Sequence, residues 1–255
     1  MFRRFKHFLR SALFLLKSGG GFVQIAHLAR DIRSAKSLGR QYRQQVLDFR
    51  NQAAQLDVST EWFFGNVGHW LHVFTNHPSA VRPARILEIG CWEGLSTYFL
   101  ASHFQDAHLD CVDTWDGGDE HKASEKVMSQ VESRYEKNLS PFRSNITKHK
   151  MLSSEFFKGN PDRERYDLIY VDGSHYADDV LGDALHSFRM LKVGGILIFD
   201  DLLWFKYDRI RDNPAAALMC FLFLKKGEYK VVYLNKQLII QKTTSADRSV
   251  SPTAA

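Results

Sequence analysis

The sequence predicts an α/β fold with a doubly wound, mostly parallel sheet, and three observations support this. Residues 85–89 form an apolar run that breaks at Gly90 and resumes after Gly94 at helical spacing, which indicates a strand, a tight turn and a helix. Further apolar runs of strand length alternate with helical patterns. Several of these runs end in aspartate, which places carboxylates at the carboxyl edge of the sheet, where such folds bind ligands.

The elements are predicted in the following order along the chain. Strands are expected at 85–89, 109–113, 146–151, 166–171 and 196–199, with an antiparallel closing hairpin at 229–234 and 237–241. Helices are expected at 61–74, 124–138, 181–191 and 213–224. The strand 166–171 is apolar throughout, as strands buried on both faces of a parallel sheet are.

Charge divides the chain into parts. The whole chain carries a net charge of +5, but residues 1–50 alone carry +9. The remainder is therefore acidic, which argues against a nucleic-acid groove across the main domain, and we expect no nucleic-acid partner. We predict a basic N-terminal arm with an amphipathic helix over 1–58, a catalytic domain over 59–242 and a polar tail over 243–255.

The first 30 residues contain no acidic residue and surround the apolar run 12–16 with basic ones. That run is too short to span a bilayer, and no cleavage site for a signal peptide follows it. The segment could lie on an anionic membrane surface or act as a targeting peptide, and the alternative is a solvated or disordered arm. Gly19–Gly20–Gly21 then predicts a flexible break.

Beyond these glycines, apolar residues between 25 and 56 recur at steps of three and four, the pattern of one or two amphipathic helices. Such a helix could form a homo-oligomer with a second chain, but we expect it to pack on its own domain. The three cysteines form no C-x-x-C pair, which is typical of reduced cysteines in an intracellular protein. The expected location is therefore cytoplasmic, peripheral to a membrane if the arm binds one.

The turn between Gly90 and Gly94 indicates the kind of ligand. A dinucleotide site needs G-x-G-x-x-G so that a pyrophosphate can rest on the helix N-terminus. Here Trp92 fills that room and Glu93 would repel a phosphate. A nucleoside without phosphates fits better, and S-adenosylmethionine is the common one. The alternative is that the two glycines only turn a strand into a helix.

A second candidate site lies where the predicted strands 166–171 and 196–199 end. Asp172 follows the first strand, and Asp200 and Asp201 follow the second. If these strands are neighbours, three carboxylates converge and suit a hard divalent cation, with Mg²⁺ first and Ca²⁺ or Mn²⁺ as alternatives. The other interpretation is that these aspartates cap helices and shape turns.

Four runs together resemble class I S-adenosylmethionine-dependent methyltransferases: ILEIGCWEGLST, CVDTW, DLIYVDGSHYADDVLGDA and MLKVGGILIFDD. They are similar to metal-dependent O-methyltransferases of the catechol O-methyltransferase type, and more so to bacterial sugar and macrolide O-methyltransferases, over residues 59–242. The resemblance implies a Rossmann-like sheet with an antiparallel last strand. It implies that Asp113 accepts hydrogen bonds from the cofactor ribose and that the metal ligands are Asp172, Asp200 and Asp201. The implied cofactor-binding residues are Glu88, Gly90, Trp92, Gly94, Ser96, Asp113, Thr114, Ser153 and Asp172.

The expected activity is methyl transfer from S-adenosylmethionine to a hydroxyl of a small-molecule or sugar-like acceptor. The candidate catalytic residues are Asp172 and His175, with His175 as general base because an unperturbed imidazole titrates near neutral pH. Some sugar O-methyltransferases carry an aspartate base where this chain has Ser174, so His175 and, more weakly, His121 are the alternatives. Two other functions stay open: a metal-independent methyltransferase, and a non-catalytic adapter that binds a membrane or a partner.

Overall fold

The computed structural model describes residues 2–77, 82–117 and 125–244, with side chains from residue 5 onward and, in the last range, from residue 128. Seven strands form one sheet in the order β3-β2-β1-β4-β5-β7-β6. The strands are β1 Arg85–Ile89, β2 His108–Asp113, β3 Ile146–Lys150, β4 Tyr166–Val171, β5 Leu191–Phe199, β6 Tyr229–Leu234 and β7 Leu238–Lys242. The helices are α1 Phe2–Lys17, α2 Phe22–Gln41, α3 Arg43–Ala53, α4 Val67–Asn76, α5 Leu95–His103, α6 Glu125–Asn138, α7 Ser153–Gly159, α8 Ala177–Met190 and α9 Pro214–Leu224.

The sheet confirms the predicted fold class. Strands β1 to β5 pair in parallel, and β7 runs antiparallel between β5 and β6. The chain first moves outward from β1 to β3 and then returns to the other side of β1 with β4. The strand order therefore reverses between β1 and β4, and the carboxyl ends of these two strands form the crevice in which folds of this kind bind ligands.

Two apolar layers cover the sheet, because its central strands are buried on both faces. In β4, Leu168 and Tyr170 face one layer, while Ile169 and Val171 face the other. This is the period-two alternation of a strand, and it explains why the whole run is apolar.

The N-terminal helices share these layers with the sheet. On α3, the ring of Phe49 meets that of Phe99 edge to face, with centroids 4.9 Å apart. Leu28 on α2 and Leu15 on α1 are fully buried. The interpretation of residues 1–30 as a solvated arm is therefore wrong for the described part of α1, while the apolar pattern of residues 25–56 reflects packing on the same chain.

The three glycines after α1 form a tight turn instead of a flexible break. Gly19 has a φ of +94°, in the left-handed region, and the amide of Gly20 donates to the carbonyl of Leu15 at 2.8 Å. A Cβ at Gly20 would lie 2.8 Å from that same oxygen, so a side chain does not fit there. The turn closes the helix and fixes α1 beside α2.

Two predicted helices have different bounds in the structure. The segment 61–74 is divided into a 3-10 turn, Trp62–Gly65, and α4, because Asn66 at the junction directs its amide toward Asp200 at 2.9 Å. Trp62 in this 3-10 turn is 68% exposed. The predicted helix 181–191 begins earlier, at Ala177, and ends at Met190. No helix among the described residues is both long enough and apolar enough to cross a membrane.

Candidate active site

The glycine turn after β1 brings two strand ends into direct contact. Gly90 has a φ of +83° and Gly94 a φ of +84°, conformations that favour glycine. A Cβ at Gly90 would lie 1.9 Å from the carbonyl oxygen of Asp172. Any other residue at position 90 would push β1 and β4 apart, so this glycine places the predicted cofactor turn directly beside the predicted metal ligand.

Glu88 lies at the base of this turn and is fully buried. The hydroxyl of Ser96 donates to its Oε1, and among the described residues its Oε2 accepts no hydrogen bond. Burial raises the pKa of Glu88 to about 7, with the Ser96 hydrogen bond opposing the shift. A buried carboxyl with an unpartnered oxygen has capacity for a proton donor from a ligand, which fits the cationic amino acid portion of S-adenosylmethionine.

Asp113 lies at the end of β2, as predicted, and its carboxylate closes the turn. Its Oδ2 accepts from the backbone amides of Cys91 and Trp92, at 2.7 and 2.9 Å, and its Oδ1 accepts from that of Trp115 at 2.7 Å. A carboxylate has about four acceptor positions, so this one retains about one position for a further donor. The structure therefore assigns Asp113 a role in shaping the turn.

Three residues other than glycine adopt positive φ among the described residues, and each lies in a loop at a strand end. They are Trp92 (+47°), Trp115 (+58°) and Asp201 (+54°). The indole nitrogen of Trp115 donates to the carbonyl of Trp92 at 3.0 Å, which ties two of these loops together. Strained backbone of this kind clusters at functional sites. Thr114 lies between the same loops and accepts a hydrogen bond from the amide of Asp116 at 3.2 Å.

Glu93 joins the turn to the elements around it. Its carboxylate is buried, accepts from the amide and hydroxyl of Ser59, and pairs with Arg134 at 2.6 Å. Asn138 donates to its carbonyl oxygen at 2.9 Å. From the sequence, Glu93 was expected only to repel phosphate, whereas the structure shows that it fixes the turn against α6 and the segment before α4.

Ser153 begins α7 and interacts with a carboxyl that the sequence analysis did not select. Burial raises the pKa of Asp183, on α8, to about 7, and a hydrogen bond from Ser153 opposes the shift. The same carboxyl lies 3.7 Å from the position that a Cβ at Gly173 would take. Ser153 therefore lies near the loop after β4, which contains Asp172 and Gly173.

Tyr170 connects two of the three predicted metal ligands. Its hydroxyl lies 2.7 Å from Asp172 Oδ2 and 2.6 Å from Asp200 Oδ2. The Tyr170 hydroxyl therefore links the two carboxyl groups. Burial, and then the charges of Asp200 and Asp201, raise the pKa of Asp172 well above its usual range.

Asp200 is surrounded by neutral donors. Its Oδ2 accepts from Asn66 at 2.9 Å and from Gln237 at 2.8 Å in addition to Tyr170, and its Oδ1 accepts from the amide of Asp201. Burial and the charge of Asp201 raise its pKa. Asp200 therefore lies behind the site, held by residues that the sequence analysis did not identify.

Asp201 faces His175 instead. The imidazole Nε2 lies 2.7 Å from Asp201 Oδ2, and the ring stacks on Trp204 with centroids 4.6 Å apart and an angle of 7° between the planes. One ligand atom each from Asp172, His175 and Asp201 lies within 4.8 Å of the others. The structure thus brings these three residues together, with Asp200 behind them. The second candidate base, His121, lies outside the described residues.

This donor set fits a divalent cation. The carboxylate oxygens of Asp172 and Asp201 suit Mg²⁺ or Mn²⁺, and the imidazole of His175 lies beside them, with one ligand atom of each residue within 4.8 Å of the others. The repulsion that raises the pKa of Asp172 would be relieved by a positive charge at this position.

Comparisons with known proteins agree with the fold. Residues 87–202, from β1 to the loop after β5, match the family model described as "Methyltransferase domain". A curated protein of Sinorhizobium fredii, the uncharacterized protein y4gI, is 28% identical over 152 residues, or 57% of this chain. The match covers only 15% of the length of that relative.

Two solved structures share the fold at low sequence identity. The O-methyltransferase of Bacillus cereus, in complex with S-adenosylhomocysteine, has a TM-score of 0.53 at 14% identity, and the match covers 87% of this chain and 100% of that one. TomG of Streptomyces achromogenes, an O-methyltransferase of tomaymycin synthesis in complex with S-adenosylmethionine, has a TM-score of 0.51 at 13% identity, over 87% of this chain and 99% of that one.

The match over residues 87–202 to a methyltransferase domain, and the fold shared with solved O-methyltransferases, agree with the resemblance of the motifs.

Proposed function

We propose that this protein transfers the methyl group of S-adenosylmethionine to a hydroxyl oxygen of a small-molecule acceptor, at a divalent cation held by Asp172 and Asp201. One observation carries the proposal. The backbone of Asp172 lies against Gly90 of the cofactor turn, while its side chain belongs to the acidic cluster with Asp201 and His175. A methyl donor and an acceptor-binding cation would therefore be adjacent, as direct transfer requires.

The cofactor supplies an electrophilic methyl group on a sulfonium, and the chain binds and orients it. Gly90 and Gly94 let the turn pack closely against Asp172 and Leu139, and Glu88 offers a buried carboxyl to the ammonium group. Asp113 holds the turn in shape through the amides of Cys91 and Trp92. Its retained acceptor capacity is enough for one ribose hydroxyl, while Ser153, held by Asp183, borders the adenine side.

Asp172 and Asp201 are the proposed metal ligands. Asp200 does not contact the cation in this proposal, but its carboxyl group lies next to that of Asp172 and adds negative charge. A bound divalent cation would lower the pKa of the acceptor hydroxyl and fix its oxygen. Tyr170, Asn66 and Gln237 keep the carboxyl of Asp200 in place, so that the loop 200–201 holds Asp201 toward His175.

His175 is the proposed general base. Asp201 orients the ring through Nε2, and Trp204 supports its face, which fixes the imidazole in place. An imidazole positioned by a carboxylate is a common general base. The ring of Tyr176 stacks on that of Tyr207 at 4.5 Å, and Tyr207 meets Trp204 edge to face, so an aromatic wall borders the acceptor side. Such a wall suits a planar or sugar-like acceptor.

Tritium transfer from labelled S-adenosylmethionine to a panel of catechols and glycosides tests the proposal. We expect transfer with Mn²⁺ or Mg²⁺, its loss on chelation with EDTA, and its loss in Asp172→Asn, with S-adenosylhomocysteine affinity preserved. Full transfer in EDTA would instead identify a metal-independent methyltransferase. Failure to bind S-adenosylhomocysteine would favour a non-catalytic adapter.

A further inference from the structure

Helix α1 is apolar on two faces. One face packs on the chain itself, where Leu15 is fully buried and Ala12 nearly so. The other face is exposed to solvent although it carries large apolar side chains: Phe5, Leu9, Leu13 and Leu16 are between 48% and 58% exposed. Spacings of four, four and three residues place these four side chains on one line along the helix. We call this line the apolar stripe of α1.

The exposed apolar surface continues beyond the end of the helix. Phe22 is 92% exposed and Val23 is 64% exposed, directly after the glycine turn that closes α1. Met219 on α9 lies beside the same glycine turn. Phe223, one helical turn further along α9, is 77% exposed. Soluble proteins rarely expose a contiguous apolar patch of this kind unless it binds something.

Basic residues lie along one side of the apolar stripe. At 100° per residue, Lys6, Arg10 and Lys17 share the face next to it, and all three are exposed. The chain has no acidic residue before Asp31. An apolar line with a parallel line of cations is the pattern of a helix that lies in the interface of an anionic bilayer, where the apolar side chains enter the acyl boundary and the cations meet phosphate headgroups.

A second copy of the chain fits this surface less well. A symmetric contact through the stripe would bring the basic line of one copy beside that of the other. Like charges placed opposite each other oppose such a contact, whereas an anionic lipid surface complements them. We therefore propose that α1 docks the protein on the surface of an anionic lipid bilayer through its apolar stripe. This proposal does not depend on the proposed reaction.

The face of α1 turned away from the stripe is held by the chain itself. Phe14 on α1 meets the ring of Phe205 edge to face at 5.6 Å, and the guanidinium of Arg10 lies 4.1 Å from the centre of the same ring. At 100° per residue, Phe14 lies about 140° around the helix from the centre of the stripe. The loop after β5 therefore packs on the far side of α1, and the apolar stripe faces outward.

Co-sedimentation with vesicles tests the docking. The probes are vesicles of phosphatidylcholine with phosphatidylserine, and vesicles of phosphatidylcholine alone, at low and raised salt. We expect the full chain to sediment with the anionic vesicles at low salt and to be released as salt increases, because exposed charges are screened. The variant Leu9→Gln/Leu13→Gln should lower the partition coefficient about tenfold or more, because two large side chains no longer enter the bilayer.

A matched control tests whether the loss of vesicle binding comes from the stripe itself or from any exposed apolar residue being made polar. Leu47→Gln/Val193→Gln changes two side chains that are similarly exposed but lie outside the patch, and it should bind vesicles as the wild type does. Unchanged thermal melting of both double variants would show that each is folded. The proposal is wrong if the wild type ignores anionic vesicles at low salt, or if Leu9→Gln/Leu13→Gln binds them as well as the control does. A concentration-dependent dimer that only Leu9→Gln/Leu13→Gln abolishes, without vesicle binding, would identify a self-association surface instead.

Discussion

The imidazole of His175 lies parallel to the indole of Trp204 at 4.6 Å, while its Nε2 lies 2.7 Å from Asp201. One side chain therefore fixes the plane of the ring and the other fixes its rotation within that plane. This arrangement fixes the His175 imidazole beside two carboxylates, and it allows a test of whether the ring is the proposed base or a metal ligand.

Replacement of His175 distinguishes these two roles. If His175 is the base, His175→Gln should lower kcat by about 10² or more, because general base catalysis contributes at that scale, while Mn²⁺ affinity stays nearly unchanged. Steady-state kinetics and Mn²⁺ titration measure the two quantities. Loss of Mn²⁺ binding together with activity would show that the imidazole is a ligand. Trp204→Leu should lower kcat less and leave the metal in place, because it only loosens the ring.

The two adjacent aspartates should behave differently when each is changed to asparagine. In Asp200→Asn, one carboxylate oxygen becomes an NH2 group, which donates and cannot accept. In one orientation it faces three side-chain donors, and in the other it faces the backbone amide of Asp201. We therefore expect the free energy of unfolding to fall by about 1–3 kcal/mol. Asp201→Asn removes a charge from a partly exposed carboxylate and should cost little stability. Urea denaturation without metal checks both. Equal stability of the two variants would contradict the buried hydrogen-bond role given to Asp200.

Asp113→Ala should disorder the cofactor turn. Three backbone amides would lose their acceptor, so we expect weaker S-adenosylhomocysteine binding by about tenfold or more and a lower melting temperature in the absence of any ligand. Calorimetry and thermal melting measure these effects. A variant with weaker binding but an unchanged melting temperature would instead favour a direct contact with the ribose.

Glu88 and Asp183 should make the folded protein less stable as the pH rises through the weakly acidic range. Burial raises the pKa of both groups, from 4.5 and 3.8, to about 7. The folded chain then keeps protons that the unfolded chain has released, so each group lowers the free energy of unfolding by up to about 1.4 kcal/mol per pH unit until its folded pKa is passed.

Variants isolate these two contributions. In Glu88→Gln and in Asp183→Asn, the loss of stability between about pH 5 and about pH 7 should be smaller than in the wild type, and in the double variant smaller still. Urea denaturation across this range is the measurement. If either single variant has the same pH dependence as the wild type, the raised pKa of that group is wrong.

The positions of site residues that follow from the order of the strands could be predicted from the sequence. Because strands of a doubly wound sheet end at one edge, Asp113, Asp172 and Asp200 could be placed there without coordinates. Period-two alternation could also have placed Tyr170 on the same side as Asp172, since the two residues are two positions apart.

The remaining parts depend on tertiary contacts that no local pattern records. Asn66 and Gln237 lie 134 and 37 positions from Asp200 and come from a helix junction and the final hairpin. The hydrogen bonds of Asp113 to the turn require left-handed backbone at Trp92 and Trp115. Large side chains rarely adopt this conformation, so the sequence alone would not predict it. The sequence indicated a membrane-binding segment over residues 1–30 but not the residues of the stripe, because only packing decides which apolar face of a helix is buried.

Binding of Mn²⁺ to the complex with S-adenosylhomocysteine, followed by the electron paramagnetic resonance signal of the free ion, tests the central claim most directly. We predict one bound ion per chain in the wild type and in the Asp183→Asn control, and none in Asp172→Asn/Asp201→Asn. A wild type that leaves all Mn²⁺ free, or an Asp172→Asn/Asp201→Asn variant that binds it as tightly as the wild type, would contradict a metal site beside the cofactor turn.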